Sequence, residues 1–144
     1  MPGLDEIILD PLYLSDEERA VIEEQFQKEL NMGSLDEPIA EYVKEIMKFP
    51  FIATIRSCSG HNYPGHITFR FSKEWHEKFI QTGIKPLLDK DLCQISLEVG
   101  TWLPTQTGLY FRWKARFNEE KRDQFFKAFL HWLKTEAEAE NNQK

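Results

Sequence analysis

The chain has 144 residues, 41% hydrophobic and 13% aromatic, which predicts one soluble globular domain over residues 1–144 and excludes a collagenous or low-complexity chain. Its 24 acidic and 18 basic side chains leave a net charge of −6, which argues against a generic attraction to nucleic acid. The charge is uneven, however: residues 1–48 carry 13 acidic and 4 basic groups, a net of −9, and the remainder carries 11 and 14, a net of +3.

The N-terminal stretch MPGLDEIILDPLYL lacks the basic flank of an export signal, and no apolar run reaches membrane-spanning length. Two cysteines, Cys58 and Cys93, suit reduced thiols. Cytoplasmic location without membrane contact is therefore expected.

Ser15 followed by Glu18 fits a capping box, and Val21, Ile22, Phe26 and Leu30 form the apolar stripe of a first helix that Asn31 and Gly33 stop. Asp36 is the expected N-cap of a second helix, with Pro38 in its first turn and Pro50 closing it. Two strands follow, Phe51 to Ser57 and His66 to Ser72. Ser72 is placed to cap a third helix, carrying Trp75, Phe79 and Ile80 and ending before Gly83. Strands at about Leu92 to Val99 and Leu109 to Phe117 come next, and Asn118 caps a last helix with Phe125, Phe129, Trp132 and Leu133 inside. Residues 136–144 should fray. The order ααββαββα, with strands in pairs, predicts an α+β domain: a four-stranded, largely antiparallel sheet with helices on one face.

In the last strand Phe111, Trp113, Ala115 and Phe117 alternate with Arg112, Lys114 and Arg116; in the second, Ile67, Phe69 and Phe71 alternate with His66, Thr68 and Arg70. Helices over the apolar face would leave Arg70, Arg112, Lys114 and Arg116 on the other, with Arg56 nearby and Glu98 as the one acid. Such a face is either a solvated surface pairing with acids of the N-terminal helices or a platform for an anion or RNA.

The stretch RSCSGH, Arg56 to His61, sits at a strand end and its loop. Nucleophilic catalysis would pair Cys58 with His61. A zinc clip over Cys58, His61 and His66 lacks a fourth ligand, so no metal is expected. An anion or small-ligand cradle suits the hydroxyls of Ser57 and Ser59 and the backbone freedom of Gly60; a plain turn explains the same residues with Cys58 as a small hydrophobe.

The segment GSLDEPIAEYVKEIMKFPFIATIRSCSGH, Gly33 to His61, resembles the N-terminal signature of the wybutosine-synthesis methyltransferase family, which acts on a modified guanosine of phenylalanine tRNA. That signature has a glycine-serine start, a DxPI helix opening and a strand ending in serine-cysteine-serine-glycine. Asp36, Pro38, Ile39, Ser57, Cys58, Ser59 and Gly60 match it directly. The resemblance implies methyl transfer from S-adenosylmethionine to a tRNA base. Ser57, Cys58, Ser59 and Gly60 would shape the ligand loop, Arg56 or His61 would contact an anionic group, and the basic face would meet substrate or RNA backbone. Arg56 and His61 stand where the family usually has serine and arginine. The alternative expectation is a non-catalytic domain of the same fold that binds a small anion, an RNA or a protein.

Overall fold

Ser15 opens the first helix as its spacing to Glu18 predicts: its hydroxyl accepts a hydrogen bond from the Glu18 amide at 3.2 Å, and Asp16, Glu17 and Glu18 put negative charge at the positive end of the helix dipole. This helix, α1, runs Asp16–Met32 and stops where Gly33 turns left-handed at φ 66°, donating its amide back to the carbonyls of the last turn. The computed structural model describes residues 9–33, 35–60, 64–100 and 109–142. The second helix, α2 (Glu37–Met47), has Pro38 in its first turn and buries Ile39, Val43, Ile46 and Met47 as one stripe. Asp36 holds the N-cap position through its backbone only; its carboxylate makes no capping bond to the helix it precedes.

Strands β1 (Ile52–Cys58) and β2 (Gly65–Phe71) form one antiparallel hairpin, and β3 (Gln94–Gly100) and β4 (Tyr110–Phe117) a second. Antiparallel pairing of β2 with β4 joins them into a four-stranded sheet of order β1-β2-β4-β3, so β1 and β3 are its edges. The molecule is thus α+β, with its strands in the expected pairs. Ile67 lies opposite Ala115 and Phe69 opposite Trp113, which gathers the apolar side chains on one face. The register slips around Ile55 between Thr54 and Arg56, a bulge in the edge strand.

The apolar face is roofed by helices. Between the hairpins, α3 (Lys73–Lys78), a π-helical turn (Phe79–Gly83) and α4 (Ile84–Asp89) run on without a break, and α5 (Arg122–Asn142) follows a 3-10 turn at Glu119–Lys121. Phe79 sits edge-on to Phe69 at 5.6 Å between ring centroids, and Phe129 of α5 lies 5.1 Å from the same ring. The expected stop at Gly83 does not occur. A Cβ there would stand 2.5 Å from Phe79 and 3.0 Å from Trp132, so this glycine permits close helix packing rather than termination. Helix α5 also continues through the stretch expected to fray: Ala and Glu are good helix formers, Ala137 packs on the core and Glu140 reaches Lys78 at 3.6 Å. Helix α1 reaches round to one end of the polar face, where its Glu18 meets Arg70 and Tyr110.

Candidate functional site

The RSCSGH stretch leaves β1 and turns into the β1–β2 loop. There Ser59 donates both its amide, at 2.7 Å, and its hydroxyl, at 2.8 Å, to one oxygen of the Asp36 carboxylate. The side chain that spacing assigns to capping α2 instead ties the start of that helix to the end of β1. The two halves of the DEPI…SCSG segment, 23 residues apart in the chain between these two side chains, therefore meet in space. Gly60 has φ 94°, a backbone region that glycine enters without a Cβ penalty. Across the hairpin, a Cβ on Gly65 would come within 2.6 Å of both the Cys58 carbonyl oxygen and the Phe117 ring. His61 lies outside the described residues.

Along the outer edge of β1 runs a cleft of about 460 Å³, walled by α1 and by the chain entering α2. Arg56 and Ser57 of the motif line it, with Asp36 beside them, Gln25 and Glu29 from α1, and His66 where it opens onto the polar face. Ile22, Phe26 and Val43 give it an apolar wall. Its position is fixed by Arg19, whose guanidinium donates to the carbonyls of Ile52 at 2.8 Å, Met47 at 2.6 Å and Phe49 at 3.2 Å, clamping α1 to the α2–β1 connection. A depression of about 520 Å³ on the outside of α1 and α2 is larger; Phe26, Leu30, Met47 and Pro50 line it together with charged residues of both helices, and no residue of the RSCSGH stretch does. Of the expected loop residues, Arg56 and Ser57 therefore face the cleft. Ser59 is buried and its hydroxyl is committed to Asp36, so it shapes the backbone rather than offering a hydroxyl to a ligand. Cys58 is half-buried at the hairpin end, opposite His66.

The polar face is not the four-residue platform the alternation suggests. Arg70 is 1% exposed. Its guanidinium donates to the carbonyls of Asp10 at 2.7 Å, Tyr13 at 2.6 Å, Phe111 at 2.9 Å and Pro11 at 3.2 Å, lies 3.1 Å from the Glu18 carboxylate and stacks 4.0 Å from the Tyr110 ring centroid. Arg70 thus leaves the expected platform because α1 and the segment before it cover it. The Tyr110 hydroxyl donates to Glu18 at 2.6 Å. Burial lifts the Glu18 carboxyl above its ordinary value despite Arg70 and Tyr110, and burial also raises the Tyr110 phenol.

The remaining basic residues stay on the open part of this face. Arg112 and Lys114 flank Glu98, at 3.6 and 3.8 Å, and Arg116 is exposed. His66 lies between Cys58 of β1 and Arg116 of β4 in the register. Partial burial, then the positive charges of Lys114 and Arg116, hold its imidazole below the ordinary histidine value. His66 enters the sequence argument as a polar-face residue of the second strand and as a possible metal ligand; in the sheet it also lines the cleft. The α1 residues Gln25 and Glu29 carry no motif signal at all, since only the docking of α1 beside β1 brings them there. Cys93 precedes β3 at the opposite edge from Cys58, and burial pushes its thiol up to about 12. No helix among the described residues is long and apolar enough to cross a membrane. No family model, curated protein or solved structure matches the chain.

Proposed function

We propose that the chain is an S-adenosylmethionine-dependent methyltransferase of the wybutosine type, acting in the cytoplasm on a modified guanosine of phenylalanine tRNA, with the β1-edge cleft as its cofactor site. One observation carries this reading: the two halves of the family-like segment, joined by the Asp36–Ser59 bonds, border a cleft of about 460 Å³. Pockets for small molecules span roughly 300–1,000 Å³ and combine apolar walls with a few placed polar groups. The lining has both signs of charge, which suits a zwitterion: Arg56 for a carboxylate, Glu29 and Asp36 for cationic groups, and Ile22 and Phe26 for an aromatic base. S-adenosylmethionine would supply an electrophilic methyl group. The chain's own part is to align acceptor and donor, so the reading requires no nucleophilic side chain.

The test is isothermal titration of S-adenosylmethionine into the protein and into Gln25→Trp and Ser57→Ala variants. Gln25 is exposed and lines the cleft, so a tryptophan there obstructs the site without disturbing the core. Saturable binding lost in Gln25→Trp supports the proposal. No heat up to millimolar ligand, or equal affinity in all three proteins, refutes it. A non-catalytic anion-binding domain is the second reading, favoured by Arg56 and Arg116, which have no carboxylate within 4.0 Å among the described residues.

A further inference from the structure

We propose that the polar face of the sheet carries a phosphate-group site built from Arg56, His66, Lys114 and Arg116 at the mouth of the cleft. The register sets its geometry. Thr68 of β2 lies opposite Arg56 on one side and Lys114 on the other, while His66, two residues earlier, lies opposite Arg116. All five project to one face, by alternation along each strand. Neighbouring strands are about 4.8 Å apart, so the outer two of three lie roughly 10 Å apart, a gap that Arg and Lys side chains bridge from both sides. Thr68 forms a small floor whose hydroxyl already accepts the Arg56 amide at 2.9 Å.

The charges here are poorly matched within the protein. Among the described residues no carboxylate comes within 4.0 Å of the Arg56 or Arg116 guanidinium, and Lys114 has only Glu98, at 3.8 Å, shared with Arg112. The His66 ring makes no hydrogen bond among the described residues. Like charges crowded on one sheet face are unfavourable, and a bound dianion removes that repulsion. Three cations around one imidazole fit a doubly charged tetrahedral group better than a single carboxylate, because each arginine presents a fork to two of its oxygens.

His66 reports occupancy. The groups facing it are Arg56 and Cys58 of β1, Lys114 and Arg116 of β4, and Glu98 of β3; Glu29 of α1 and Asp36 line the same cleft. Its depressed basicity comes from burial and from the cations. An anion among them restores basicity, so His66 titrates at higher pH when the site is filled.

The site shares Arg56 and His66 with the lining of the proposed cofactor cleft but does not depend on cofactor binding, and its test uses different variants. Inorganic phosphate is titrated at constant ionic strength while the His66 ring proton resonance, assigned with His66→Gln, is followed by NMR. The expected result is a saturating shift, a rise in the His66 midpoint, and at least a tenfold loss of affinity in Arg56→Gln/Arg116→Gln. Both arginines are exposed, so that variant should unfold at the same denaturant concentration as the parent. A linear, non-saturating shift, an unmoved midpoint, or unchanged affinity in the double variant overturns the proposal. Adenosine monophosphate and a 5′-hydroxyl oligouridylate then compete with phosphate. Stronger displacement by the nucleotide supports the site and assigns it to small phosphomonoesters; stronger displacement by the oligomer, falling steeply with salt, supports it and assigns it to a nucleic-acid backbone.

Discussion

Replacing Arg70 with methionine removes the cation facing Glu18 and takes a donor from four backbone carbonyls, those of Asp10, Pro11, Tyr13 and Phe111, of which Pro11 keeps the Phe111 amide at 2.8 Å. Both side chains of the pair are at most 1% exposed, so solvent does not compensate. Deleting one partner of a buried pair costs about 3–5 kcal/mol, chiefly by leaving the other charge desolvated and alone. A domain of this size has about 5–15 kcal/mol in total, so the loss is a large share. At about 3 °C per kcal/mol, Tm should fall by roughly 9–15 °C. Urea unfolding followed by tryptophan fluorescence measures it. Restoring neutrality in Arg70→Met/Glu18→Gln should recover part of the loss, because two neutral groups no longer conflict. A decrease below about 1 kcal/mol in the single variant would refute the assignment of Arg70 as a buried anchor. The acid partner adds a pH signature. Because the folded Glu18 holds its proton more tightly than the ordinary value of 4.5, folding takes up a proton just above that pH. The stability contribution of Glu18 therefore falls as pH rises through that window, and the stability difference between parent and Glu18→Gln should show this slope.

Gly65→Ala should cost about 1–3 kcal/mol by overpacking, since the added carbon meets a backbone oxygen and a buried ring; an unchanged urea midpoint would show that the hairpin has room. Asp36→Ala leaves the buried Ser59 amide without its acceptor and should cost about 1–3 kcal/mol while weakening any cleft ligand, seen in paired unfolding and titration experiments. Cys93, with its thiol raised to about 12, should resist iodoacetamide at pH 8 until the protein unfolds, and mass spectrometry of a labelling time course would expose an error as rapid native modification. His76 is buried with its imidazole accepting from the Trp113 indole at 3.2 Å, and burial lowers its pKa below the ordinary 6.5. Its contribution is present above 6.5 and is lost as pH falls, so the stability advantage of the parent over His76→Phe should shrink between pH 7 and pH 5.

Local rules account for most of the scaffold. The Ser15 cap, the Gly33 stop and the alternation of β4 each depend on neighbours within a few residues, and each appears as the spacing predicts. What escaped depends on contacts made across the chain. Strand alternation says which way Arg70 points but not that α1 lies above it. Helix-start chemistry nominates Asp36 as a cap, yet a competing pair of donors on Ser59 takes the carboxylate. Gly83 reads as a stop and is instead the gap through which Phe79 and Trp132 pack. The candidate site was half legible: Arg56 and Ser57 come from the motif, whereas Gln25, Glu29 and His66 join it only through the docking of α1 and the pairing of β2.

The Asp36 carboxylate gives one oxygen to both Ser59 donors and makes no capping bond to α2. Bound to Ser59, it closes the loop and leaves the first turn of α2 without a side-chain cap. Released, it stands at the N-cap position, where capping is worth about 1 kcal/mol. Loop opening therefore recovers through the helix part of what it loses at Ser59. Part of the cost of breaking those two short hydrogen bonds can therefore be returned at the start of α2.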